Sequence, residues 1–126
     1  MKTIIQTPKA PAPIGPYNQA ILVENTLYAS GQIALDPKTM ELVNRDIEEE
    51  TTQVMKNLSE VLKAAGMDFT NVVKTTIFLY DMGDFTAVNG VYGSYFDHKV
   101  APARETVQVA ALPKNVRVEI SVIAIR

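Results

Sequence analysis

From Asp46 to Gly66 the chain reads DIEEETTQVMKNLSEVLKAAG. Ile47, Val54, Met55, Leu58, Val61, Leu62 and Ala65 recur at steps of three and four residues, which aligns them as one apolar stripe down a helix and leaves the opposite face to water. Asp46 is placed to cap the first turn, Glu49 to close a capping box, and Gly66 to take the left-handed position after the last turn. Glu48, Glu49 and Glu50 favour the positive end of the helix dipole, so this acidic run predicts a helix start and not a metal site.

The pattern then changes period. VVKTTIFLY, residues 72–80, is rich in β-branched and aromatic residues. Alternation puts Val73, Thr75, Ile77 and Leu79 on one face and Val72, Lys74, Thr76, Phe78 and Tyr80 on the other. Both faces are largely apolar, which predicts a strand covered on two sides, by helices on one and by another subunit on the other. A second helix is expected over residues 84–96, with Asp84 as its cap and Phe85, Val88, Val91, Tyr92 and Tyr95 on one side; Gly90 and Gly93 weaken it. QAILVE and TLYAS flank Asn25 as two strands joined by a tight turn, and RETVQVAAL and RVEISVIAI bracket PKNV as a second antiparallel hairpin. The Pro-rich residues 8–16 read as a short ordered connection. Strands, helix, strand, helix and strands, in that order, give an α+β domain with both helices on one sheet face.

Composition narrows the function. The chain has 126 residues, enough for one domain spanning 1–126. Net charge is −2 and the basic residues are scattered along the sequence, so no nucleic-acid or anionic-membrane partner is expected. There is no cysteine and only one histidine, His98, so disulfides, thiolate nucleophiles and His/Cys metal clusters are excluded. His98 lies between Asp97 and Lys99 in a polar connector and reads as a solvent-exposed loop residue. No stretch matches a signal-peptide core or a membrane span, which makes a cytoplasmic protein the simplest expectation. P-loop, dinucleotide, nucleophile-elbow and metalloprotease motifs are all missing.

What remains is a set of polar residues in places that packing explains poorly. Arg104, Thr106 and Gln108 share one strand face; Glu119 and Ser121 interrupt the otherwise apolar last strand. One reading pairs Arg104 with a carboxylate at a sheet edge and leaves Glu119 facing solvent. The other makes the arginine fork a bidentate grip for a small carboxylic acid, with the glutamate handling protons. Tyr17 follows a Gly-Pro turn in IGPYNQA, and Ser30 and Gly31 end the strand in YASGQIAL. Those two segments read most simply as turn residues with a half-buried aromatic, the commoner fate of such segments. Asn89, next to Gly90, reads as a surface residue.

Together IGPYNQA, YASGQIALDP, the helix ending AAG, VVKTTIFLYDMGDF, VNGVY and APARETVQVAALPKNVRVEI resemble the Rid family, the YjgF-type reactive intermediate deaminases, over nearly the whole chain. The resemblance implies a chorismate-mutase-like fold: a six-stranded mixed sheet backed by two helices, with three strands before the first helix. It also implies a homotrimer with ligand clefts between subunits, and hydrolysis of 2-imino acids or their enamine tautomers to 2-keto acids and ammonia. Such imines are released by pyridoxal-phosphate enzymes such as threonine and serine dehydratases. Carried over residue by residue, Arg104 would bind the substrate carboxylate and Glu119 would position or activate water, while Tyr17, Ser30, Gly31 and Asn89 would line the cleft. No cofactor is implied. Active members commonly carry a cysteine two residues beyond the arginine, where this chain has Thr106; threonine serves as well if that position works through its backbone groups.

Two readings compete. The same cleft could serve a ligand sensor of branched-chain amino-acid metabolism that binds a keto or amino acid without catalysis. A ribonuclease or translation inhibitor is the third, disfavoured by the acidic balance and the lone histidine.

Overall fold

The computed structural model describes residues 1–126. Six strands form one sheet: β1 (Lys2–Ile5), β2 (Ala20–Val23), β3 (Thr26–Gln32), β4 (Val72–Leu79), β5 (Ala103–Gln108) and β6 (Val118–Ile125). Two helices, α1 (Ile47–Ala64) and α2 (Phe85–Gly93), complete it. The strand order is β1-β2-β3-β6-β4-β5, and only the β4–β5 pair is parallel. The sheet is therefore mixed, as expected. Both helices lie on one face, where Leu27, Leu58, Leu62, Ile77, Leu79 and Ile120 form the buried centre. No helix is long and apolar enough to cross a membrane.

The expected C-terminal hairpin is absent. β5 runs parallel to β4 after a crossover through α2, and β6 returns to the middle of the sheet between β3 and β4. Composition explains the placement. Val118, Ile120, Val122 and Ala124 of β6 are all buried, so this strand gains most from neighbours on both sides. ARETVQ is almost wholly exposed and takes the edge, where charged side chains protect unpaired backbone. β1, which the residue pattern did not reveal, pairs Lys2 with Val23 and Ile5 with Ala20 at the other edge.

Smaller departures have local causes. A register shift between Val72 and Lys74 turns Val72 inward with Thr75 and leaves Val73 exposed, so the alternation breaks at the strand's first residues. The second helix stops at Gly93, and Asp84 makes no side-chain cap; Asp81 instead accepts from the Gly83 N–H to start the preceding turn. At α1, Asp46 accepts from the Glu49 N–H at 2.7 Å as expected. Glu49 reaches the Arg45 N–H rather than that of Asp46, so the box is offset by one residue. Gly66 does take a left-handed φ of 71°.

Glu50 differs from its acidic neighbours. It is fully buried, and its carboxylate accepts from the Arg117 backbone N–H and Nε, both at 2.7 Å. Arg117 in turn donates to the Asn44 carbonyl at 2.8 Å, tying the approach to α1 to the start of β6.

Candidate functional site

A cavity of about 670 Å³ opens at the end of β3 and β6. Its walls are three loop segments, one between β1 and β2, one following β3 and one carrying Pro113 and Lys114 between β5 and β6. Gln19 holds the first: its buried side-chain amide donates to the Thr7, Ala10 and Pro11 carbonyls and accepts from the Thr7 N–H. Pro-rich backbone has few donors of its own, so one buried amide supplies the bonds that the loop lacks. Asn57 of α1 holds the second, donating to the carbonyls of Ile33 and Leu35. Neither amide was singled out in the sequence, although Asn57 sits between Val54 and Val61 on the apolar stripe, a position that signals a buried polar group.

Tyr17, Ser30, Gly31 and Glu119 all line this cavity. The Tyr17 hydroxyl accepts from the Ile14 N–H at 3.2 Å, and Ser30 Oγ donates to the Asn18 carbonyl at 2.6 Å. A Cβ at Gly31 would lie 2.8 Å from Glu119 Cδ, so any other residue there would push the glutamate side chain from this position. Glu119 therefore rests against bare backbone. Burial pushes its carboxyl above the usual carboxylate range, and no cation pairs with it.

Arg104 and Asn89 line a second cavity, of about 420 Å³, between β5 and α2. Arg104 Nη1 donates to Asn89 Oδ1 at 2.7 Å, and the guanidinium carbon stands 5.1 Å from the Tyr92 ring centre and 5.7 Å from that of Phe85. Tyr92 shares a buried 2.8 Å hydrogen bond with Thr75, which fixes the ring beneath the cation. Burial raises the Tyr92 phenol, with the Thr75 bond and the Arg104 charge opposing that rise. The edge-strand ion pair considered for Arg104 does not form. The carboxylate beside it, Glu105, bonds Lys74 at 3.2 Å and Thr76 at 3.0 Å on the other side of the sheet. Asn89 is exposed, yet it is committed to the arginine. His98 is exposed as expected, but it also borders this second cavity, its Nε2 3.2 Å from the Gly93 carbonyl.

The two halves cannot meet within one chain. Arg104 pairs in register with Thr75 and shares the helix-covered face with Thr106 and Gln108. Glu119 pairs with Phe78 and lies on the open face with Ser121. β4 also separates their strands, a gap of about 10 Å at the usual strand spacing. Thr106 Oγ1 is the one buried side-chain polar atom without a hydrogen-bond partner.

Comparison with known proteins identifies the family. Residues 7–126 match the family model described as Endoribonuclease L-PSP. The human 2-iminobutanoate/2-iminopropanoate deaminase is 53% identical over 126 residues, covering all of this chain and 91% of that one. A solved structure from the Rid family of Yersinia pestis superposes with a TM-score of 0.96 at 49% identity, covering 100% of both chains. Escherichia coli TdcF with bound serine superposes at 0.92 with 39% identity, covering 98% of each chain. By sequence and by fold, then, this chain belongs to the Rid family of YjgF-type reactive intermediate deaminases, the one that the L-PSP model describes.

Proposed function

We propose that this protein is a 2-iminobutanoate/2-iminopropanoate deaminase whose site is completed between copies of the chain. The observation that carries the reading is the separation of two unpaired, opposite charges onto opposite sheet faces, each beside its own cavity. A homotrimer in which the Arg104 edge of one subunit meets the Glu119 cavity of the next brings them to one substrate. The open sheet face supports such assembly. Ile4, Ile21, Tyr28 and Ile123 pair across four strands as an apolar row that no helix covers, with Ile4 and Tyr28 each 50% exposed.

Arg104 grips the substrate carboxylate, its orientation set by Asn89 and by the Tyr92 ring. Glu119 accepts a proton from water as the water oxygen bonds to C2 of the imine. That proton passes to nitrogen as the C=N π pair collapses onto it, giving the carbinolamine; Glu119 then takes the hydroxyl proton and delivers it to nitrogen as the C–N bond breaks, so that ammonia and the 2-keto acid leave. Burial raises the basicity of this carboxylate relative to one in water. Imines hydrolyse unaided, so orientation, a held water and a proton path suffice. Tyr17, Ser30 and Gly31 shape the cleft around the substrate side chain, and Thr106 contributes its backbone groups. The substrate class fits pyridoxal-phosphate dehydratases as the imine source and the cytoplasm as the place of action. A TdcF relative with bound serine supports a small amino-acid-like ligand.

The test is to add the purified protein to threonine dehydratase and follow 2-ketobutyrate formation. Faster release, abolished in Arg104→Ala, supports the reading. No acceleration, with 2-ketobutyrate still bound, would favour the non-catalytic sensor.

A further inference from the structure

The basic residues are scattered in sequence but not in space. Lys9, Lys38, Lys56 and Lys63, half of the chain's lysines, line one groove of about 400 Å³. α1 forms one wall, where Lys56, Glu60 and Lys63 recur at helical spacing on its solvent side. The segments carrying Lys9 and Lys38 form the other. Glu60 is the single carboxylate in the groove, and it is taken by Lys63 at 3.4 Å. The remaining three ammonium groups have no acidic partner, in a chain whose net charge is −2. Such a concentration of like charge is unfavourable by itself and attracts a multivalent anion.

Lysine alone supplies the cations. The arginine fork matches planar carboxylate and phosphate alike, whereas ammonium groups act as compact point charges, and several of them together suit an anion of high charge density such as a polyphosphate. The groove is built on two of the same loops that line the candidate site. Its base includes Asn57, the side chain that fastens Ile33 and Leu35, and its far wall continues into Pro11 and Ala12. The groove and the Glu119 cavity are thus two sides of the same pair of loops.

We propose that this groove binds a small anion carrying two or more phosphate groups, and that bridging Lys9 and Lys38 to α1 stiffens the loops lining the Glu119 cavity. Binding itself does not depend on the reaction proposed above, because it can be read without turnover.

The experiment is a titration of the isotope-labelled full chain with pyrophosphate at constant ionic strength, followed by amide NMR, with sulfate as the control anion. Saturable shifts are expected around residues 8–9, 37–38 and 56–63, extending to Ala12, Ile33 and Leu35. Lys38→Gln/Lys56→Gln removes two charge-assisted contacts and should weaken binding by about tenfold or more while leaving basal imine hydrolysis unchanged. Equal shifts at the isolated Lys2 and Lys99, the same curve with sulfate, or native affinity in the double variant would overturn the site. Saturating pyrophosphate should change KM for the imine by about fivefold in the native protein and not in the double variant. An unchanged native KM would overturn the coupling.

Discussion

Two of the molecule's arginine–glutamate combinations teach opposite lessons. Glu50 and Arg117 meet within one chain, with two 2.7 Å bonds to a fully buried carboxylate and a third from the guanidinium to Asn44. Both carboxylate oxygens, and the Nε and Nη2 of the guanidinium, are used internally, so the work of the pair is structural: it locks the start of α1 to β6. Arg104 and Glu119 have the same chemistry and the opposite arrangement. The cation is held by an amide and two aromatic faces, the carboxylate rests on a glycine, and the sheet stands between them. Charges that a chain positions but does not neutralise are available to a ligand.

The contrast breaks most visibly at Arg117. Arg117→Ala leaves a buried carboxylate without its cation and should cost about 3–5 kcal/mol of stability, read from denaturant unfolding. Molecules that remain folded should turn over imine normally. Arg104→Ala should do the reverse, lowering kcat/KM by about a hundredfold, as expected when one partner of a desolvated charge pair is lost. Its unfolding free energy should change by no more than about 1 kcal/mol, the scale of an exposed cation–π contact.

Glu119 gives the pH test. Its carboxyl is raised by burial, so the ionised base is lost on acidification at a higher pH than for a free carboxylate. The acid limb of kcat/KM should therefore lie above the ordinary carboxylate pKa of about 4.3 and vanish in Glu119→Gln together with most activity. The stability sign is the opposite of that for a salt-bridged acid. Above the raised folded pKa the native state carries a disfavoured charge; below the unfolded pKa that cost is gone. Glu119→Gln should be at least as stable as the native protein at neutral pH, with the difference closing as pH falls through the raised pKa. The smallest effect is expected at Thr106. Thr106→Val removes a buried hydroxyl with no partner, so stability should hold or rise by about 1 kcal/mol. Activity should persist if only the backbone acts there; its loss would show that the hydroxyl matters.

Local pattern made α1 legible because its stripe, cap and C-terminal glycine agree. It also made the polar face of β5 visible, and with it Arg104. Pairing was less legible: the hairpin signal of two strands around PKNV was overridden by the gain from burying β6 between two neighbours. Glu50 escaped notice because an acid in a helix's first turn is usually solvated, and nothing local marks a distant Arg117. Gln19 and Asn57 show the same limit, since the carbonyls they satisfy belong to other segments. The family resemblance supplied the roles of Arg104 and Glu119, while the sheet register supplied what neither residue pattern nor resemblance had stated, that the two lie on opposite faces.

Complementation between two inactive variants tests the shared site most directly. Arg104→Ala and Glu119→Gln, each inactive alone, are unfolded together in equal amounts and refolded as mixed oligomers. If each cleft draws its arginine and its glutamate from different subunits, about a quarter of the clefts are intact and activity returns to about that fraction of native. If both residues must come from one chain, every cleft carries a defect, and a mixture as inactive as its components would contradict the account.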